Sequence, residues 1–290
     1  YYHQLIKYEQ ERLYLSREIG NRIVEGNALM FCGQIQALYL GDYEKGLQLQ
    51  IQTLNFWENI TDRLFPLLRI TQIQTALGRH EEALAALELA RPLQEKVVMD
   101  IGRAGLGLVS AILYNSINDE SSLRTTLEIT SQIQQMVAKS LVSRQYHMVA
   151  ACEASAAHLS LAQLHLRNNE NNTEHQTHLQ LALESSQTAL NIYQEFGFVQ
   201  VVECTSEEIL FRHSQALIAN DRMDEGVEFL KRSYQEMMRK HDLIPAESPY
   251  RKTYLENIQL HRDIQAAFAR QTSPAVKRRK SRSSGKARTK

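Results

Sequence analysis

Turn-forming residues are scarce in this chain. Glycine supplies 12 of the 290 residues and proline 5, well under the average usage of roughly 7% and 5%. A β-sandwich wants a turn cluster every 8–12 residues or so, and those clusters are missing. Collagen-like and low-complexity classes are excluded for the body of the chain as well. Cysteine is sparse: Cys32, Cys152 and Cys204 are odd in number, far apart and without a CxxC pair. Neither a disulfide framework nor a zinc knuckle is indicated, and a reducing cytoplasm is the expected setting. No apolar run reaches the ~18 residues of a membrane span. No signal-peptide pattern opens the chain. It begins at Tyr1, without Met, inside a helical pattern, and is expected to be a fragment of a longer protein.

Net charge is formally zero, with 33 basic and 33 acidic residues. The zero is divided. Eight basic residues and no acidic one lie in 271–290, so the first 270 residues carry 25 basic against 33 acidic, a net of −8. An acidic body therefore precedes a basic tail. The tail has no apolar periodicity and reads as disordered. Its Lys277, Arg278, Arg279 and Lys280 suit nonspecific contact with nucleic-acid phosphates, which would weaken steeply with salt.

What is present is a repeat. Gly20, Thr61 and Gly102 fall 41 residues apart, each in a short polar break after a helical run. Further breaks lie near Val142 and at Glu195-Phe-Gly-Phe198; the last interval holds an Asn-rich insertion, Asn168-Asn-Glu-Asn-Asn-Thr173. Inside the units runs a second turn. Its copies are Leu40-Gly-Asp-Tyr-Glu-Lys-Gly-Leu47, Leu77-Gly-Arg-His-Glu-Glu-Ala-Leu84, Asn220-Asp-Arg-Met-Asp-Glu-Gly-Val227 and a degenerate Ile117-Asn-Asp-Glu-Ser-Ser-Leu123. Glycine at the turn ends a helix with positive φ. Acidic residues suit the next helix start. The small residue that follows (Gly46, Ala83, Gly226) lets two helices approach. Between breaks the i, i+3, i+4, i+7 spacing is clear, as in Ala83, Leu84, Leu87 and Ala90. It predicts helices over 3–19, 22–40, 43–59, 63–78, 80–98, 103–116, 120–139, 143–167, 175–196, 199–219, 223–240 and 250–269.

These turns, with Asn27-Ala-Leu before the first and Ala85-Ala-Leu-Glu-Leu-Ala90 after the second, resemble the tetratricopeptide repeat. The resemblance covers roughly 3–240. The two degenerate turns lack the glycine, and the first copy carries one extra residue between Gly33 and Gly41. Units of about 41 residues, followed by Tyr250-Arg-Lys-Thr-Tyr-Leu-Glu-Asn-Ile-Gln-Leu-His-Arg-Asp-Ile-Gln-Ala-Ala-Phe268, are similar to the C-terminal repeats of large bacterial signalling ATPases, transcriptional regulators and nucleotide cyclases. The resemblance implies an all-α fold: an α-solenoid of helix pairs in a right-handed superhelix over 1–245, a C-terminal capping helix over 246–270, and the tail 271–290. It implies a non-catalytic protein-interaction or sensor module in signal transduction. Its partner would be a protein, a peptide or an upstream domain of the same chain, and any ATPase or cyclase activity would lie upstream of residue 1. The rival expectation is a free-standing adaptor whose tail binds nucleic acid.

In such repeats the first helix of each pair lines the groove. Counting back from the turns gives Phe31, Ile35, Leu38 and Tyr39, then Leu68, Gln72 and Thr75, then Glu208, Phe211 and Gln215 as inward positions. For Phe31 and Phe211 core packing is the plainer reading. The inward Lys, Arg and Asn set that clamps a peptide carboxylate is not at these positions. The half-pair at the start leaves Leu5, Leu13 and Leu15 as exposed apolar surface.

No catalytic, cofactor or metal residue is assigned. Gly102-Arg-Ala-Gly-Leu-Gly107 lacks the Gly-Lys-Ser/Thr of a phosphate loop and reads as a helix contact. His158 with His165, and His175 with His178 beside Glu174, lack the converging ligands and support a zinc site needs. Glu81-Glu82, Glu207-Glu208 and Asp224-Glu225 are adjacent pairs at helix starts, and adjacent residues on a helix do not face each other. Thr173 reads as a helix N-cap. Trp57, the single tryptophan, reads as packing.

Overall fold

The computed structural model describes residues 2–94, 96, 100–139, 142–168, 172–198 and 204–272. Among them are thirteen α-helices and no strand beyond a single bridge residue, Cys204. In order they are α1 (Tyr2–Glu18), α2 (Arg22–Gln34), α3 (Tyr43–Phe56), α4 (Leu64–Ala76), α5 (His80–Gln94), α6 (Asp100–Ile117), α7 (Glu120–Ala138), α8 (Arg144–Arg167), α9 (Asn172–Glu195), α10 (Ser206–Ala219), α11 (Met223–Asp242), α12 (Tyr250–Glu256) and α13 (Gln259–Thr272).

The turns follow the repeat. Gly41 and Gly78 have φ of 74° and 72°, and where glycine is missing Asn118 and Asp221 take the same left-handed conformation at 62° and 61°. Asn and Asp are the residues that tolerate it most readily. After Asn118 a side-chain cap starts the next helix, Asp119 accepting from the Ser122 amide at 2.8 Å; α10 is capped likewise, Thr205 accepting from the Glu208 amide at 3.4 Å. The small residues hold helices close. A Cβ on Gly46 would stand 2.5 Å from Ala37 Cβ, and one on Gly226 2.5 Å from Ile218 Cγ1. Gly107 sits in α6 against Ile133 of α7. Gly26 is covered by the Trp57 ring, so the tryptophan packs the end of α3 onto α2.

Three expectations are corrected. The extra residue before Gly41 does not continue α2 to residue 40. Residues Ile35–Tyr39 form a π-helical turn, with the Leu40 amide donating to the Ile35 carbonyl at 3.1 Å. A wide turn of this kind takes up one extra residue within the helix. Thr173 is not the cap of α9, which begins at Asn172. The closing segment is two helices rather than one, broken at Asn257 and Ile258. Asn257 turns its side chain away to donate to the Gly41 carbonyl at 2.8 Å, while Ile258 enters the core.

From α1 to α11 each helix packs on its sequence neighbour, and α4, α6, α8 and α10 also touch in a row. The two ends of that row meet. Tyr2, Cys32, Ile35, Tyr39 and Leu40 from the beginning share one core with Phe211, Leu230, Met237, Tyr254, Ile258 and Ile264 from the end. Tyr2 stacks on Tyr39 with ring centroids 4.6 Å apart. The α12 segment closes on the first turn: Thr253 Oγ1 donates to the Leu40 carbonyl at 2.5 Å, and Gln36 Nε2 to Tyr250 Oη at 3.2 Å. Leu5 and Leu15 are exposed, as expected of the half-pair, together with Tyr8, Tyr14, Ile19 and Ile23.

Candidate functional site

Where the ends meet, a polar seam is buried. Glu207, in the first turn of α10, is fully buried. Its Oε2 accepts from Lys240 Nζ of α11, and its Oε1 lies 3.3 Å from His261 Nε2 of α13 and 3.5 Å from Tyr254 Oη. Lys240 also reaches Tyr2 Oη of α1 at 3.4 Å. Burial by itself would raise the Glu207 pKa, but Lys240 and His261 outweigh it and hold the carboxyl well below its usual range. Burial and the neighbouring Glu207 drive the Tyr254 phenol well above its ordinary value. Each charge in the seam therefore faces a partner, as a buried charge must.

The row of inner helices lines a half-open central cavity of about 1090 Å³. That is slightly above the ~300–1,000 Å³ of small-ligand sites. Seven of the ten expected inward residues line it: Leu38, Tyr39, Gln72, Thr75, Glu208, Phe211 and Gln215. The other three do not. Leu68 is buried in the core between α4 and α6, Ile35 lies in the core shared by the two ends, and Phe31 is half-exposed under the Arg12 guanidinium at 5.4 Å. The π-helical turn explains part of this, because it reorients the helix between Phe31 and Tyr39. Lys277, Arg278, Arg279 and Lys280 lie outside the described residues.

On the cavity wall α6, α8 and α10 bring together Asn115, Glu153, Glu208 and Arg212. Asn115 Nδ2 donates to Glu153 Oε2 at 2.6 Å and to the Glu153 carbonyl at 3.0 Å. Arg212 Nη2 lies 3.3 Å from Glu208 Oε1, one turn back on its own helix. Glu153 is 94% buried, at 6% exposure. Its pKa is raised to about 7, by burial first and by Glu208 next, with Arg212 and Asn115 only partly opposing. Two carboxylates thus share one guanidinium. Arg212 Nε and Asn115 Oδ1 are buried without a hydrogen-bond partner among the described residues. Behind the wall lie Cys152 and Cys204, both buried thiols. The Cys204 pKa is pushed well above its ordinary value by contact with Cys152 and by burial, which leaves it a poor nucleophile.

The histidines pair across α8 and α9. His158 Nδ1 is 2.9 Å from His178 Nδ1, and His165 stacks on His178 at 5.4 Å. Burial lowers the His158 pKa to about 4, so both rings are neutral at pH 7 and one nitrogen donates to the other. His165 Nδ1 stands 3.5 Å from Glu174. No group of three or more His, Cys, Asp or Glu side chains converges as metal ligands among the described residues. None of the described helices is long and apolar enough to cross a membrane.

Sequence reasoning missed the weight of Glu207, Glu208 and Glu153. The two α10 acids look like helix-start residues, and they are; their directions come from the packing of α10. The available signal was the inward register shared by Glu208, Phe211 and Gln215. No family model matches the chain, and a search of curated proteins finds no match.

Proposed function

We propose that this chain is a non-catalytic binding and sensing module built of tetratricopeptide-like helix pairs in an α-solenoid. Its binding surface is the inner row of helices. The observation that supports this most is the central cavity, whose wall takes residues from α1, α3, α4, α6, α8, α10 and α13. An occupant there touches both ends of the row at once, so its binding is coupled to how the ends close. In the setting that the sequence resembles, a cytoplasmic signalling regulator, the occupant is a partner protein or peptide, or an upstream domain of the same chain.

Photo-crosslinking residues placed at Gln72 and Gln215 test this against outward controls at Gln180 and Glu184 of α9. In the full-length protein, crosslinks to a partner or to the upstream segment should concentrate at the inner pair. Crosslinks confined to the outer pair overturn the reading.

A further inference from the structure

We propose that the central cavity takes an organic cation, an ammonium or guanidinium group on a short apolar or aromatic stem, with Glu153 as its counter-charge. This rests on the cavity being a binding surface and adds what it binds.

In the seam, Glu207 has a lysine and a histidine. On the wall, Glu153 and Glu208 have Arg212 between them, and Arg212 makes its ion pair with Glu208. Among the described residues Glu153 takes its side-chain hydrogen bond from the neutral amide of Asn115 alone. A buried carboxylate short of one positive charge favours a cation over any neutral ligand. The raised Glu153 pKa agrees with this geometry.

Hydrogen bonding among the described residues leaves one open acceptor beside Glu153, Asn115 Oδ1, and one open donor, Arg212 Nε. With its amide nitrogen committed to Glu153, Asn115 leaves Oδ1 as an acceptor without a donor. Ammonium carries three N–H donors and guanidinium five, with no acceptor. Around these polar groups Leu38, Tyr39, Tyr43, Phe211 and Leu230 line the cavity, a wall suited to an apolar stem and to cation–π contact.

Two sources offer this chemistry: a free amine or guanidine, and a Lys or Arg side chain. The chain's own basic residues are candidates for the second. Arg270 and Gln271 at the end of α13 line the cavity, and Lys277 lies five residues beyond Thr272, a reach of up to ~17 Å.

Calorimetric titration of the full chain with tyramine, tyrosol and 4-hydroxyphenylacetate decides the class. These probes keep one ring and exchange ammonium for hydroxyl or carboxylate. Tyramine should bind at least about thirtyfold more tightly than tyrosol, the low end expected for pairing a buried charge, and 4-hydroxyphenylacetate should not bind. Glu153→Gln should abolish that preference while Glu184→Gln on the outer face leaves it intact. Near pH 7 tyramine binding should also release a fraction of a proton, read from the dependence of the heat on buffer. If tyrosol or the carboxylate binds as tightly as tyramine, the cation assignment is overturned and the cavity remains a binding site. If no probe binds to the wild type or to a chain with Lys277, Arg278, Arg279 and Lys280 changed to Ser, the assignment is overturned too. Tighter tyramine binding in that serine chain than in the wild type assigns the cation to the tail; equal binding assigns it to a free ligand.

Discussion

Two buried glutamates that line one cavity behave in opposite ways. Glu207 is held ionised, with its pKa well below the usual range, while Glu153 is raised to about 7. Burial pushes both upward. The difference lies in the cations that reach each one. Lys240 and His261 converge on Glu207 from two other helices, whereas Glu153 and Glu208 divide a single Arg212. The first arrangement is a structural joint between the ends of the chain. The second has room for one more positive charge. Burial fixes how much a charge matters; its partners decide the sign of the shift.

The largest effect is expected at the joint. Glu207→Gln should lose about 3 kcal/mol of stability, because it removes the close partner of buried Lys240 and leaves it Glu236 at 3.9 Å as its carboxylate. A Glu207→Gln/Lys240→Met pair should recover much of that, as replacing both partners of a buried ion pair often does. Urea unfolding of the three variants measures it, and equal losses in the single and double variants would refute the ion-pair account.

Next is the backbone of the same joint. Gly41→Ala should cost roughly 2–3 kcal/mol, through its left-handed φ and through a clash with Thr253. Its Cβ would lie 2.5 Å from the Thr253 carbonyl oxygen. Gly78→Ala has the same φ and open space around it, so it should cost only about 1 kcal/mol. The gap between the two reports the closure of the ends.

The two glutamates should also give opposite pH slopes. Glu207 stabilises fully above the ordinary carboxylate pKa of about 4.3, and that contribution is lost as pH falls through its depressed folded value. Glu153 has a folded pKa above its unfolded one, so its contribution falls as pH rises from about 4.3 to about 7. Glu153→Gln should therefore flatten stability between pH 5 and 8 and gain about 1 kcal/mol at pH 8. Urea midpoints across that range check it; a variant less stable than wild type at pH 8 would contradict the unpaired-charge reading. The smallest effect is expected on the outside. The exposed pair Arg144–Glu195, at 2.6 Å, should lose under about 1 kcal/mol on Arg144→Ala, and less in high salt.

Much of this fold was legible because its signals are local. The turn at Gly78 and the small residue at Ala83 follow from backbone sterics and helix contact, which need only near neighbours. Tyr39, Gln72, Phe211 and Gln215 were found by register, since one face of a helix recurs about every 3.6 residues. Phe31, Ile35 and Leu68 failed for a reason of the same kind. A π-helical turn intervenes on the first helix, and Leu68 points between α4 and α6 rather than along their inner edge.

The sequence by itself thus determined the all-helical class, the helix order and the turns that tolerate a left-handed residue. Only the tertiary structure decided that the two ends meet, and that Glu207 is neutralised while Glu153 is not. The physical reason is range. A helix is specified by residues three or four apart, but Lys240 comes to Glu207 from 33 positions away and Thr253 to Leu40 from 213. A carboxylate's charge is set by whatever the fold delivers beside it.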